Sequence, residues 1–174
     1  DILLLDEPLS ALDRKIRKEM QVELRRIQRE TGVTAVIVTH DQDEAISLGD
    51  DLVVLESGVI MQRGRPAEVY GSPQNYFVAD FLGELNVVRC VASGPGRPEV
   101  TVGGVTTAVR DIERTVVEGE PAFLVFRPEH AVVAPASAGG SFGGLEIGGT
   151  VTEIIDQGQT HDIFVDTDLG SLKS

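Results

Sequence analysis

The sequence predicts an α/β unit followed by a small all-β unit, and two observations carry that expectation. Over residues 1–83, short apolar runs alternate with an apolar stripe of helical spacing. Beyond Gly83 the segments become short, β-branched and punctuated by glycine and proline. Glycine marks the same divide, with 6 of the 19 glycines in residues 1–83 and 13 in residues 84–174. Charge does not, because 9 basic less 15 acidic residues give −6 in the first part and 6 less 13 give −7 in the second.

Taken in order, Ile2–Leu5 is a continuous apolar run, the pattern of a parallel strand buried on both faces. Ser10 and Asp13 form an S-x-x-D pattern that can open a helix. Ile16, Met20, Leu24 and Ile27 follow at spacings of 4, 4 and 3, one face of a helix that Gly32 is placed to stop. The basic residues Arg14, Lys15, Arg17, Lys18, Arg25, Arg26 and Arg29 lie mostly off that stripe and read as a solvated face. Val33–Thr39 is the next strand, and Asp41–Leu48 a short helix. Leu52–Leu55 and Val59–Gln62 flank Ser57-Gly58, a hairpin signal. Ser72-Pro73 reads as a cap and first position for a helix carrying Tyr76, Phe77, Phe81 and Leu82. In the second part, Val87–Ala92, Glu99–Val102, Val105–Val109, Ala122–Arg127, Glu146–Ile155 and Asp162–Asp166 suggest a small antiparallel barrel or sandwich, with Pro135–Gly144 a loop within it.

Composition narrows the class. At 174 residues and 41% hydrophobic, the chain can bury a core. Its single cysteine, Cys90, excludes a disulfide framework and reads as a buried reduced thiol. A net charge of −13 argues against nucleic acid as a partner. No apolar run approaches the ~20 residues of a membrane helix. His130 and His161 have no clustered ligands at metal spacing. The chain begins at Asp1 rather than Met and is expected to be a fragment.

The chemistry collects where two strands end. Ile2–Leu5, the helix and Val33–Thr39 make one βαβ unit, whose strands run parallel and end on the same edge. That edge receives Asp6 and Glu7 from the first strand and His40 from the second, in the position where open α/β sheets bind ligands. A carboxylate at a strand tip can hold Mg²⁺ largely through water. The adjacent carboxylate can polarise a nucleophilic water, and the imidazole can hydrogen-bond a terminal phosphate. The set suits phosphoryl transfer to water.

The string ILLLDEPLSALD (Ile2–Asp13) resembles the Walker B strand and D-loop of an ABC-transporter ATPase, and Thr39-His40-Asp41 resembles its switch-histidine loop. Val54–Asn86 is similar to the end of importer ATPases that carry a C-terminal regulatory extension. Phe126-Arg127-Pro128-Glu129-His130 and the strands after it resemble that extension, the OB-like TOBE barrel. The resemblance implies residues 1–83 as the C-terminal part of a P-loop ABC ATPase domain and 84–174 as a TOBE barrel truncated at its end. It implies that Asp6 helps hold Mg²⁺, that Glu7 is the base for water, and that His40 contacts the γ-phosphate of ATP. Ser10 and Asp13 would reach across the interface with a second copy of the chain.

By the same resemblance, the parent is the energy-coupling ATPase of an import system, peripheral on the cytoplasmic face of the membrane. It would work as a homodimer with permease subunits and a solute-binding protein. Phe81–Asn86, Gly158-Gln159-Thr160 and Asp168–Ser174 look most like the polyamine (spermidine/putrescine) and iron branch. Ferric iron, sugar, sulfate and molybdate importers are the alternatives. The sequence holds no Walker A loop, Q-loop or LSGGQ-type signature, so this chain alone is expected not to bind ATP tightly or turn it over. The rival reading is a regulatory, dimerisation or small-ligand-binding module whose barrel takes a small-molecule regulator. A soluble DNA-repair or translation ATPase of the same superfamily is a third, and a barrel after FVADFLG is not its pattern.

Overall fold

The computed structural model describes residues 2–92, 99–109, 119–136 and 144–174. The chain forms two compact units, Asp1–Gly83 and Glu84–Ser174.

In the first unit, β1 (Ile2–Asp6) and β2 (Thr34–Val38) pair in parallel, with Ile2 beside Thr34 and Asp6 beside Val38. Between them runs α1 (Arg14–Thr31). Asp13 is its N-cap, accepting from the Lys15 and Ile16 amides at 3.0 Å each. Ser10 therefore does not open the helix; the S-x-x-D pattern places the cap on its second member. Gly32 stops the helix in a left-handed conformation at φ 63°, its amide donating to the Gln28 carbonyl.

The expectation of a strand buried on both faces fails. Ile2 is 67% and Leu4 73% exposed. A two-stranded sheet gives each strand one neighbour, and among the described residues no second layer closes over both faces.

The core of this unit lies farther along the chain. α2 (Gln42–Leu48) is followed by the antiparallel pair β3 (Leu52–Glu56) and β4 (Val59–Gly64). Ser57 and Gly58 turn that pair with φ of 49° and 81°, the positive values a two-residue hairpin turn requires. Two short helices follow, α3 (Pro66–Gly71) and α4 (Tyr76–Phe81). Leu52, Val54, Val69, Val78 and Leu82 form the buried cluster, with Phe77, Phe81 and Tyr70 packed against it. The cap of α4 is Asn75, whose side chain accepts from the Val78 amide at 2.9 Å, and not Ser72-Pro73. Ser72 instead terminates α3, an element the sequence reading did not anticipate.

The second unit is antiparallel. β5 (Asn86–Ala92), β6 (Glu99–Val102), β7 (Val105–Ala108) and β8 (Pro121–Phe126) form a sheet of order β7-β6-β5-β8. A second sheet, of order β11-β10-β9, holds β9 (Gly149–Asp156), β10 (His161–Thr167) and β11 (Gly170–Lys173). Asn86, Val88, Cys90 and Ala92 are buried while Val87, Arg89 and Val91 face out, the period-2 signature of a half-buried strand. Val88, Cys90, Val100 and Val102 are the core. Asn86 fastens one sheet to the other, its Nδ2 donating to the Lys173 carbonyl at 2.6 Å and its Oδ1 accepting from the Lys173 amide at 2.7 Å. The sheets do not close into a barrel among the described residues. Residues 137–143 of the expected loop at Pro135–Gly144 lie outside the described residues.

Candidate functional site

The parallel register brings the expected groups together. Asp6 ends β1 beside Val38 of β2, and the Glu7 amide continues the ladder by donating to the Val38 carbonyl at 2.8 Å. The chain turns sharply there. Glu7 has φ 45°, a left-handed conformation that costs a non-glycine residue about 1–3 kcal/mol and that clusters at functional positions. The Ser10 hydroxyl and amide both donate to the Glu7 carbonyl, at 3.0 and 3.3 Å, and hold the turn closed. Leu9, 4% exposed, is the apolar anchor of this loop.

On the facing side, His40 lies two residues beyond the end of β2. Its Nδ1 lies 3.0 Å from Glu7 Oε1, although 33 positions separate the two residues. Both side chains are open to solvent, His40 71% and Glu7 49% exposed. With Glu7 ionised, Nδ1 carries the hydrogen and donates it. The second ring nitrogen, Nε2, is then left for another partner, as an acceptor on a neutral ring or a donor on a charged one. A carboxylate and an imidazole in this contact can orient a water and a phosphate oxygen side by side.

Asp6 is exposed at the strand tip. Among the described residues, no group of three or more His, Cys, Asp or Glu side chains converges as a metal cage. A lone exposed carboxylate oxygen suits a hard ion that keeps most of its hydration shell, as Mg²⁺ does. Ser10 and Asp13, the other two candidates, spend their side chains within the chain, Ser10 on the Glu7 carbonyl and Asp13 on the start of α1.

The residues bonded to the two chain neighbours of His40 were not assigned a role from the sequence. Thr39 Oγ1 accepts from the Asp41 amide at 3.0 Å and donates to Glu44 Oε2 at 2.8 Å. Asp41 caps α2 through the Glu44 amide at 3.0 Å, and its other oxygen accepts from Arg17 Nη1 at 2.9 Å. Arg17 Nη2 reaches the Leu12 carbonyl at 2.8 Å. Arg17 is thus not part of a plainly solvated face, nor is Arg25, which donates to the Ser47 and Leu48 carbonyls at the end of α2. The one sequence signal was the D-Q-D-E spacing of Asp41 and Glu44, which places a cap and a third-position carboxylate together. Beside these groups lies a cleft of about 350 Å³, lined by Asp13, Arg14, Arg17, Lys18, Asp41 and Asp43 among others.

The site thus consists of a strand-edge carboxylate pair, a facing histidine and the loop that joins them to α1. Nearly the whole length of the chain is similar in sequence to part of the ATP-binding proteins of import systems. The spermidine/putrescine import ATP-binding protein PotA of Mesorhizobium japonicum is 45% identical over 175 residues, covering 97% of this chain and 45% of that protein. PotA of Vibrio vulnificus is 42% identical over 172 residues, again 97% of this chain and 45% of its own length. The Fe(3+) ions import ATP-binding protein FbpC of Brucella abortus is 40% identical over 173 residues, covering 98% of this chain and 46% of that protein. The chain spans a little under half the length of these relatives. A solved structure of cbiO1 from Clostridium perfringens, part of the ABC transporter complex cbiONQ, overlaps 41% of this chain and 28% of its own at 35% identity and a TM-score of 0.38. That overlap is too partial to bear on the fold. No protein-family model matches.

Proposed function

We propose that this chain is part of the energy-coupling ATPase of an ABC import system, and that polyamines such as spermidine and putrescine are the cargo. The observation that carries the reading is the contact of Glu7 with His40 at the carboxyl edge of the β1–β2 pair. In this reading Glu7 orients and polarises the attacking water, an effect typically worth about 10²–10⁴ in rate. His40 fixes Glu7 through Nδ1 and presents Nε2 to the terminal phosphate of ATP. Asp6 would hold Mg²⁺, which when bound supplies charge neutralisation at the phosphates. Ser10 and Asp13 keep the loop between site and helix in shape, and in a homodimer that loop would meet the second copy. Residues 1–83 are then the C-terminal part of the ATPase domain and 84–174 a TOBE regulatory unit of OB-like type. The assembly would sit on the cytoplasmic face of the membrane with permease subunits and a solute-binding protein. The polyamine assignment is supported by the names of the relatives at 42–45% identity, with ferric iron the second cargo on the same ground.

The test is uptake of labelled spermidine and of labelled ferric iron by cells whose only copy of the full-length protein is wild type or carries Glu7→Gln. Loss of spermidine uptake alone supports the assignment. Loss of iron uptake alone moves the cargo to iron, and loss of neither refutes both cargo assignments.

A further inference from the structure

We infer that Arg17 and Glu44 are positioning residues for His40, fixing through Asp41 and Thr39 the backbone that carries the imidazole and tying it to the first turn of α1.

Glu44 is the observation that needs explaining. It is a carboxylate only 2% exposed on a seven-residue helix, where a buried charge is costly unless it is held. What holds it is Thr39, whose hydroxyl donates to Oε2 at 2.8 Å, and Arg17, whose Nε lies 3.9 Å from Oε1. Thr39 and Asp41 are the two neighbours of His40 in the chain. Each is fixed twice, Thr39 by Glu44 and by the Asp41 amide, Asp41 by the Glu44 amide and by Arg17. The imidazole itself is exposed and touches only Glu7 among the hydrogen bonds described. Its placement is therefore set by its flanking backbone, and that backbone is set by Arg17 and Glu44. Arg17 also bonds the Leu12 carbonyl, so the loop leaving Glu7 and the loop carrying His40 share one guanidinium. A displacement of one is passed to the other without either touching a ligand.

The consequence for turnover rests on the ATPase reading above, whereas the geometric half does not. The geometric half is read in this 174-residue chain by the ring ¹⁵N shifts of His40. Arg17→Met keeps the apolar stem and removes the guanidinium, and Glu44→Gln keeps a partner for Thr39 while removing the charge. Both are expected to move the His40 Nδ1 resonance toward its position in Glu7→Ala. Arg14→Met, three residues earlier on the same helix, leaves it unmoved. If Arg17→Met does not fold, Glu44→Gln decides.

In the full-length protein, Arg17→Met is expected to lower kcat about 10- to 100-fold with little change in KM for ATP, and Arg17→Lys to restore part of it. In a His40→Ala background Arg17→Met should cost nothing further, whereas a general structural role would cost the same in both. Unmoved ring shifts in the folded variants, or additive losses in the cycle, overturn the inference. A wild-type protein without turnover overturns the ATPase reading instead, and the ring shifts alone then judge the positioning role.

Discussion

Leu82 and Leu4 are both leucines of the first unit, and their contrast tests where its core lies. Leu82 is 2% exposed within the cluster of Leu52, Val54, Val69 and Val78, so truncation to alanine removes buried methyl groups and leaves a cavity. The transfer and cavity contributions together put the loss at about 3 kcal/mol, within the ~2–5 kcal/mol range of such changes. Leu4 is 73% exposed, so only about a quarter of the ~1.5–3 kcal/mol for full burial is at stake, well below 1 kcal/mol. For a unit of this size, 3 kcal/mol corresponds to a fall of roughly 12–24 °C in Tm. The assay is thermal and urea unfolding of the 174-residue chain carrying Leu82→Ala or Leu4→Ala, followed by far-ultraviolet circular dichroism. A loss from Leu4→Ala equal to that from Leu82→Ala would refute the placement of the core and return β1 to a buried sheet.

Three further outcomes are expected. A methyl group on Gly149 would lie 2.6 Å from Val165 Cγ1 and 2.7 Å from the Asp166 carbonyl oxygen, so Gly149→Ala should destabilise the second unit by about 1–3 kcal/mol in urea unfolding, and an unchanged midpoint would refute the packing of β9 on β10. Lys173, paired with Glu84 and 3.0 Å from Asp162, is raised above its ordinary 10.5 by Glu84 first and Asp162 second, while the Lys173 ammonium holds the Asp162 carboxyl below its ordinary 3.8. The Asp162 contribution to stability is thus present above 3.8 and lost as pH falls through its lower folded value, and the Lys173 contribution is present below 10.5 and lost as pH rises through its higher folded value; Lys173→Met should lower Tm at neutral pH with the gap closing as Asp162 protonates, and a gap that persists in acid would refute the pairing. Calorimetry of Mg-ATP against this chain should show no micromolar binding, because the sequence contains no phosphate-cradling loop, and micromolar binding would overturn that expectation.

The parts of the site that the sequence made legible were those set by strand periodicity and local capping. Two apolar runs joined by one helix dictate a parallel pair, and that pair brings the segments carrying Glu7 and His40 to one edge across 33 positions. Gly32 and the Ser57-Gly58 turn were readable because each needs a positive φ that the residue type announces. Burial was not readable in the same way. Ile2–Leu5 has the composition of an interior strand, but composition records what a strand can bury and not which layers are present to cover it. Ser72-Pro73 carried the stronger dipeptide signal, yet Asn75 caps α4 because its side chain reaches the Val78 amide. The part of Arg17 in the network with Asp41 and Glu44 escaped because it lies 24 and 27 positions from them and only the packing of α1 beside α2 joins them.

Under the proposed function, Glu7 acts on water at the edge it shares with His40. Mg-ATP turnover by the full-length protein, with Glu7→Gln run in parallel and nucleotide binding measured on both, tests it most directly. A fall of about 10² or more in turnover with ATP still bound is the predicted result. Unchanged turnover in Glu7→Gln would contradict it.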